Sequence, residues 1–255
     1  MIKIQNLCKS FDEVEVLRDI TLSFEPGISN LVIGASGSGK TVLLKSLVGL
    51  HEIDSGSILY DGRDFSKMNF RERKEIRKEI GMVFQSGALF DSSTVVENVM
   101  YPMDMFTQMS PAEKLERANF CLSRVNIVNA NHKFPSEISG GMRKRVAIAR
   151  AIALNPKYLF CDEPNSGLDP KTAILIDNLI QELTQEYQMT TIINTHDMNS
   201  VMEIGEKVVF IHQGKAWWEG SHQDIFDTQN KELESFVFAS KFQVHINQLK
   251  KASGG

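Results

Sequence analysis

One stretch of the 255-residue chain limits its fold more than any other: residues 31–50, LVIGASGSGKTVLLKSLVGL. Leu31, Val32 and Ile33 form an apolar run of buried-strand character. The loop Gly34-Ala35-Ser36-Gly37-Ser38-Gly39 follows, and its glycines let the backbone bend until successive N–H groups converge on an anion. A helix-patterned segment starts near Lys40 and Thr41, with Val42, Leu43, Leu47 and Val48 on an apolar side. Its first N–H groups have no intrahelical acceptor and the positive end of its dipole faces the same point, so loop and helix start make a phosphate cradle. Gly34, Gly39, Lys40 and Thr41 satisfy the spacing G-x-x-x-x-G-K-[ST], in which the lysine reaches the β/γ-phosphates and the hydroxyl binds Mg²⁺. A chance glycine-rich turn lacks the flanking strand and helix.

Composition narrows what the cradle can serve. A formal net charge of −4 argues against a dominant nucleic-acid footprint. Cys8, Cys121 and Cys161 are odd in number, widely spaced and without a C-x-x-C pair, which argues against a disulfide framework or zinc site and fits a reducing compartment. No apolar run approaches the ~20 residues that span a bilayer, and Met1 leads directly into a strand pattern. The expectation is a soluble, cytoplasmic protein; if it works at a membrane, another chain provides the crossing.

Along the chain, Ile2, Ile4 and Leu7, then Val14, Val16 and Leu17, then Leu22 and Phe24 alternate in short segments, as in an antiparallel sheet; Ser57–Tyr60 adds a strand before the Asp61-Gly62 turn. Phe11, in the first loop, reads equally as a core aromatic or as a flat face for a nucleobase. Phe70–Lys78 mixes both charge signs at helical spacing and reads as a solvated helix. Ile80–Phe84 reads as a buried strand ending on Gln85, a position where α/β proteins place ligand contacts. From Ser86 to Glu137 the strand signal fades. Ser110-Pro111-Ala112-Glu113 is a capping box followed by Leu115, Ala118 and Leu122 on one face, the mark of an inserted helical lobe. Ser139-Gly140-Gly141 opens another helix and is a second anion-binding candidate. The basic group Arg143, Lys144 and Arg145 reads as a solvated face or phosphate-proximal charge rather than a nucleic-acid patch.

Tyr158–Cys161 is an apolar strand ending on Asp162-Glu163, two carboxylates suited to a metal partner and a base. Asn165–Pro170 is a tight loop before a helix from Lys171 to about Glu186. Thr190–Asn194 forms a further strand with His196 just beyond it. Val208–His212 and Lys215–Trp218 read as a hairpin. In the helical remainder Leu233, Phe236, Val237 and Phe238 dock either on the body or on a partner subunit. Ser253-Gly254-Gly255 resembles an expression scar.

Five motifs thus stand in fixed order: GASGSGKT at 34–41, Gln85, ISGGM at 138–142, YLFCDEP at 158–164 and His196. Together they resemble the ATPase subunits of ATP-binding cassette (ABC) transporters, from about Met1 to Gly220. The resemblance implies an α/β fold: a P-loop NTPase (RecA-like) core with an N-terminal antiparallel β-subdomain and an inserted helical subdomain. It divides the chain into an ATP-binding domain at 1–221, with the core lobe at 1–85 and 143–221 and the helical lobe at 86–142, and a C-terminal extension at 222–255. It further implies ATP and Mg²⁺ as cofactors, with residues 34–41 around the phosphates and Lys40 on them. Phe11 would stack on adenine. Thr41, Gln85 and Asp162 would bind the metal, Glu163 would be the general base and His196 the γ-phosphate sensor. Ser139, Gly140 and Gly141 would meet the γ-phosphate across a head-to-tail dimer of two copies, and Asp169 would link the two sites. The signature is usually LSGGQ; Ile138 and Met142 replace its first and last residues, which puts in doubt a polar contact of the final glutamine.

A narrower likeness lies in FQSGALFDSSTVVENVMYP at 84–102 and in ISGGM followed by RKRVAIARAIA. These resemble the MlaF-type ATPases of Mla systems, which move phospholipids between bacterial membranes with a Mce-domain lipid-binding partner. The expectation is an ATPase on the cytoplasmic side of the bacterial inner membrane, bound peripherally to permease subunits, with phospholipid as cargo; the alternative cargo is a lipophilic compound or an amino acid. A GTPase switch would need an N-K-x-D motif, and Asn230-Lys231 is followed by Glu232 and Leu233. A cassette ATPase of translation or DNA repair would need two cassettes or a long coiled-coil insert. A non-hydrolysing regulator would not need both Glu163 and His196.

Overall fold

Two hydrophobic periodicities sort the strands of this chain into two sheets. The computed structural model describes residues 1–239 and, in chain order, consists of β1 (Ile2–Phe11), β2 (Val14–Phe24), β3 (Ser29–Ile33), α1 (Lys40–Leu47), β4 (Ser55–Tyr60), β5 (Arg63–Asp64), α2 (Phe70–Lys78), β6 (Ile80–Val83), α3 (Val95–Phe106), α4 (Pro111–Arg124) and α5 (Gly140–Ala151). There follow β7 (Tyr158–Asp162), α6 (Pro170–Tyr187), β8 (Thr190–Asn194), α7 (Met198–Ile204), β9 (Lys207–His212), β10 (Lys215–Gly220) and α8 (Lys231–Ala239). Strands with one wet face, such as β1, alternate buried and exposed residues and form a four-stranded sheet in the order β2-β1-β4-β5. Strands buried on both faces, β3 and β8 above all, belong to a six-stranded sheet in the order β10-β9-β3-β8-β7-β6. In it β9, β3, β8, β7 and β6 are parallel neighbours and β10 is antiparallel to β9.

Register fixes where the site lies. Val32 and Asp162 both pair with Asn194, and Val83 pairs with Cys161. The carboxyl ends of β3, β6, β7 and β8 therefore share one edge, and the cradle, Gln85, Glu163 and His196 all leave the sheet there. Successive side chains point to opposite faces. Leu31, Ile33, Leu159, Cys161 and Ile193 join the core packed with the helical lobe, whereas Val32, Tyr158, Phe160 and Ile192 join the core shared with α1 and the antiparallel sheet.

The helical lobe is delimited by its own sequence. Thr94 with Glu97 and Ser110 with Glu113 form capping boxes at the starts of α3 and α4, satisfying orphan N–H groups. On α4 the buried face is Ala118, Cys121 and Leu122, while Leu115 is exposed, contrary to the expected face. The 142/143 division falls inside α5, whose Val146, Ala147 and Ile148 are buried in the same core as β7. Residues 14–24 form one strand rather than two segments. Asn6 and Asp19 instead adopt left-handed backbone where the β1–β2 register shifts, and Asn6 Nδ2 donates to Asp19 Oδ1. The β9–β10 hairpin turns at Gln213-Gly214, both with positive φ. Leu233 and Val237 of α8 are buried and the Phe236 ring lies 5.4 Å from that of Phe210, so the helix packs on the body of its own chain. The Phe238 side chain and Ser253-Gly254-Gly255 lie outside what is described. No helix among the described residues is long and apolar enough to cross a membrane.

Candidate nucleotide site

The cradle closes between β3 and α1 because its glycines occupy positions other residues cannot. A Cβ on Gly34 (φ +149°) would lie 2.3 Å from the Ile211 carbonyl oxygen, and one on Gly39 (φ +110°) would lie 2.9 Å from Leu17 Cδ2. Gly39 is the N-cap of α1 and supplies no side-chain hydrogen bond, so first-turn N–H groups stay available to an anion. Lys40 is buried; its ammonium donates to the Gly34 and Ala35 carbonyls at 2.7 and 3.0 Å. Burial pushes its pKa down, while Glu163 and Asp162 pull it back up. A cation held beside anion-seeking N–H groups suits a polyphosphate.

Next to the cradle, Thr41 Oγ1 donates to Asp162 Oδ1 at 3.3 Å, and Asn194 Nδ2 donates to the same oxygen at 3.1 Å. A hydroxyl and a carboxylate are the hard oxygen donors Mg²⁺ takes alongside phosphate oxygens, so the residues fit that ion. One residue on, Glu163 has a left-handed backbone (φ +47°) and its N–H donates to the Asn194 carbonyl at 2.9 Å. Its carboxylate lies between two sequence-predicted partners: Gln85 Nε2 donates to Oε2 at 2.8 Å, and His196 Nδ1 is 2.8 Å from Oε1. Gln85 Nε2 also lies 3.3 Å from Ser166 Oγ. Lys40, Thr41, Gln85, Asp162, Glu163 and His196 are thereby connected at one sheet edge.

Phe11 is not a core aromatic. It is 40% exposed, pairs with Val14 across a two-residue turn, meets the His51 ring edge-on at 5.1 Å and has Lys9 Nζ 5.0 Å from its centroid. Val14 and Gly37 line one small cavity, which places this hairpin beside the cradle.

The second glycine pair lies elsewhere. Ser139 caps α5, its Oγ accepting from Met142 N–H at 3.2 Å, and Ser139, Gly140, Gly141, Asp169 and Thr172 line a cavity of about 600 Å³ that no residue of 34–41 lines. Asp169 caps α6, accepting from Thr172 N–H at 3.1 Å and from its hydroxyl at 2.6 Å; these bonds hold its carboxyl below the usual range. Ile138 is buried and Met142 packs against the core, so both departures from the usual signature fill apolar space. Sequence reasoning passed over Asn194 and Ser166 and read Lys144 as part of a solvated face or phosphate-proximal charge. Lys144 is buried and its ammonium donates to the Gln85 carbonyl rather than facing solvent. Only the pairing of β7 with β8 reveals Asn194, and a basic run in sequence looks solvated.

Fold and site define a P-loop nucleotide-binding protein with an antiparallel β-subdomain and a helical insert. The ABC transporter family profile matches residues 17–166. The methionine import ATP-binding protein MetN of Clostridioides difficile (strain 630) is 36% identical over 93% of this chain and 74% of its own length, and that of Desulfitobacterium hafniense (strain Y51) is 37% identical over 94% and 73%. Among solved structures, a dimeric ATP-binding cassette in a post-hydrolysis state bound to ADP and Pi shares 32% identity, covering 87% of this chain and 99% of that one at a TM-score of 0.79. cbiO1 from Clostridium perfringens, part of the ABC transporter complex cbiONQ, covers 97% and 98% at 27% identity and a TM-score of 0.82. The chain belongs to the ABC transporter family, as an ATP-binding subunit. It is an ATPase coupled to transport and uses ATP with Mg²⁺. The two sequence relatives are MetN proteins and not MlaF-type ones, so the narrower likeness to Mla systems has no support among them.

Proposed function

We propose that the chain energises a membrane permease carrying an amino acid, working as two copies with each ATP held between them. The observation that carries the catalytic part is the convergence of Thr41, Asp162, Glu163, Gln85 and His196 at the edge where the cradle opens. Phosphoryl transfer needs positioning and charge neutralisation more than covalent chemistry. Bound Mg²⁺ would supply charge neutralisation at the phosphates, held by Thr41, Gln85 and Asp162. Lys40 holds the β/γ-phosphates, Phe11 stacks on the base, Glu163 orients and deprotonates water, and His196 reads the γ-phosphate. Ser139, Gly140 and Gly141 reach the ATP of the other copy, with Asp169 linking the two sites. Support comes from the separate cavities of the two helix starts and from the dimeric cassette relative.

The permease contact is placed at a cavity of about 410 Å³ lined by Met82, Phe84, Phe90, Tyr101, Phe106 and Leu154. Phe90 and Tyr101 are exposed with ring centroids 4.6 Å apart, whereas Leu89 packs inward against the core. Arg150 donates to the Ala88 and Gly87 carbonyls at 2.7 Å each, tying this wall to α5. A permease segment seated here would act on the loop that carries Gln85 and would place the chain peripherally at the cytoplasmic face of the inner membrane. The amino-acid reading is supported by the methionine-import relatives. A second reading, phospholipid movement with a Mce-domain partner, is supported by residues 84–102 and the segment after ISGGM.

The test is purification of the tagged full chain from its native membrane. A permease should co-purify and Phe90→Asp should release it while ATP binding persists. ATP hydrolysis by the complex should rise with an amino acid; a rise with phospholipid alone selects the second reading. Absence of any membrane protein from the wild-type complex would overturn the transport reading.

A further inference from the structure

Asp177 lies two turns into α6 and is 2% exposed. A carboxylate in a core costs free energy unless it is paired and hydrogen-bonded, and among the described residues no cation forms an ion pair with it. Its partner is an amide. Asn165 Nδ2 lies 3.0 Å from Asp177 Oδ2 and 3.2 Å from Oδ1, and the same nitrogen is 2.8 Å from Ser200 Oγ. Asn165 and Ser200 are also buried.

These three residues meet at the hinge of the catalytic edge. Asn165 sits between Glu163 and Ser166, the two residues that Gln85 touches. The loop around it is two overlapping turns, Ser166 N–H to the Glu163 carbonyl at 3.2 Å and Leu168 N–H to the Asn165 carbonyl at 3.3 Å, and includes left-handed backbone at Glu163 and Gly167. A non-glycine residue persists in that conformation when its surroundings over-determine it. Ser200 belongs to α7, whose N-cap Asp197 directly follows His196. The Asn165 amide thus ties the loop bearing Glu163 to α6 on one hydrogen and to the helix behind His196 on the other.

We propose that Asp177 is a positioning residue for ATP hydrolysis: through Asn165 it clamps the loop of residues 163–169 against α6 and α7 and so sets the distance between the Glu163 carboxylate and the His196 ring. A buried hydrophobic residue at 177 would pack as well but could not accept from the amide, which gives the retained carboxylate its use. The assignment rests on the chain's ATPase activity, so turnover by wild type is the first measurement and separates failure of the clamp from failure of the enzyme.

The experiment compares steady-state ATP hydrolysis, ATP binding and thermal unfolding of full-length Asp177→Leu, which removes the acceptor, Asn165→Ala and the exchanged pair Asn165→Asp with Asp177→Asn. Asn165→Ala guards against a misfolded Asp177 variant. Each single variant is expected to lose about 10- to 100-fold in kcat, the scale of a misplaced catalytic group, with KM for ATP changed less than about twofold. The exchanged pair restores donor and acceptor in reverse and is expected to recover kcat. Turnover of a folded single variant close to wild type overturns the proposal. So does an exchanged pair that regains thermal stability without regaining kcat, because that result assigns Asp177 to the fold alone.

Discussion

Replacing Phe11 by alanine separates nucleobase stacking from core packing through two magnitudes that the structure sets. Truncating a fully buried Phe costs about 3–5 kcal/mol of stability. Phe11 is 40% exposed and its ring neighbours are His51 and Lys9 at the surface, so the fold should lose no more than about 1 kcal/mol. Stacking of a base on an aromatic ring is worth about 1–3 kcal/mol, which is about a 5- to 150-fold rise in Kd at 1.4 kcal/mol per tenfold. The assay is equilibrium titration of Phe11→Ala with ATP and with GTP, alongside denaturant unfolding. Both nucleotides should weaken together, since every base has a π-face, while the unfolding midpoint stays nearly fixed. Unchanged Kd with a large loss of stability would refute the reasoning.

Gly34→Ala should abolish ATP binding, because its Cβ would meet the Ile211 carbonyl oxygen at 2.3 Å and push the cradle off the strand; titration that finds wild-type affinity would show the loop tolerates the shift. Ser139→Arg should leave ATP binding by one chain intact and stop hydrolysis, and mixing it with Lys40→Ala chains should return activity by placing both lesions in one of two sites; full activity of Ser139→Arg alone would show the site complete within one chain. Burial pushes the Asp177 carboxyl up to about 6, with Asp197 and Glu203 adding to it against hydrogen bonds from Ser200 and Asn165. A carboxyl raised in the folded state gives stability that is present below about pH 4 and lost as pH rises through about 6. Between pH 4 and pH 8, wild type should therefore lose about 2–3 kcal/mol relative to Asp177→Asn; parallel unfolding profiles for the two proteins would contradict this.

Much of the site was legible because its residues sit where apolar runs stop. The glycines after Ile33, Gln85 after β6, and Asp162-Glu163 at the end of β7 are each local signals, and parallel strands place their carboxyl ends on one edge. What no local pattern gives is register. That Gln85 and His196 both lie 2.8 Å from the Glu163 carboxylate follows from β6, β7 and β8 being adjacent and aligned. Asn165, Asp177 and Ser200 stand 12 and 23 residues apart in sequence, and polar residues on helices read as solvated until burial is seen. Leu115 misleads in the opposite sense: apolar character alone did not put it inside, and Cys121 took the buried place that Leu115 was expected to hold. The bulges at Asn6 and Asp19 hid the continuity of β1 and β2, since a residue in left-handed backbone interrupts the period-two pattern. Phe11 was undecidable from type alone, and its exposure takes it out of the core.

The central claim is that this ABC family member hydrolyses ATP with Glu163 as the base. Its most direct test is Glu163→Gln, which keeps the shape of the side chain and the bond from Gln85 to its oxygen while removing the charge that takes a proton from water. Measured on the purified full-length chain with ATP and Mg²⁺, wild type should release phosphate, and the variant should bind ATP with similar affinity, accumulate as a dimer and release phosphate at least about 100-fold more slowly. Phosphate release by Glu163→Gln at close to the wild-type rate would contradict the account.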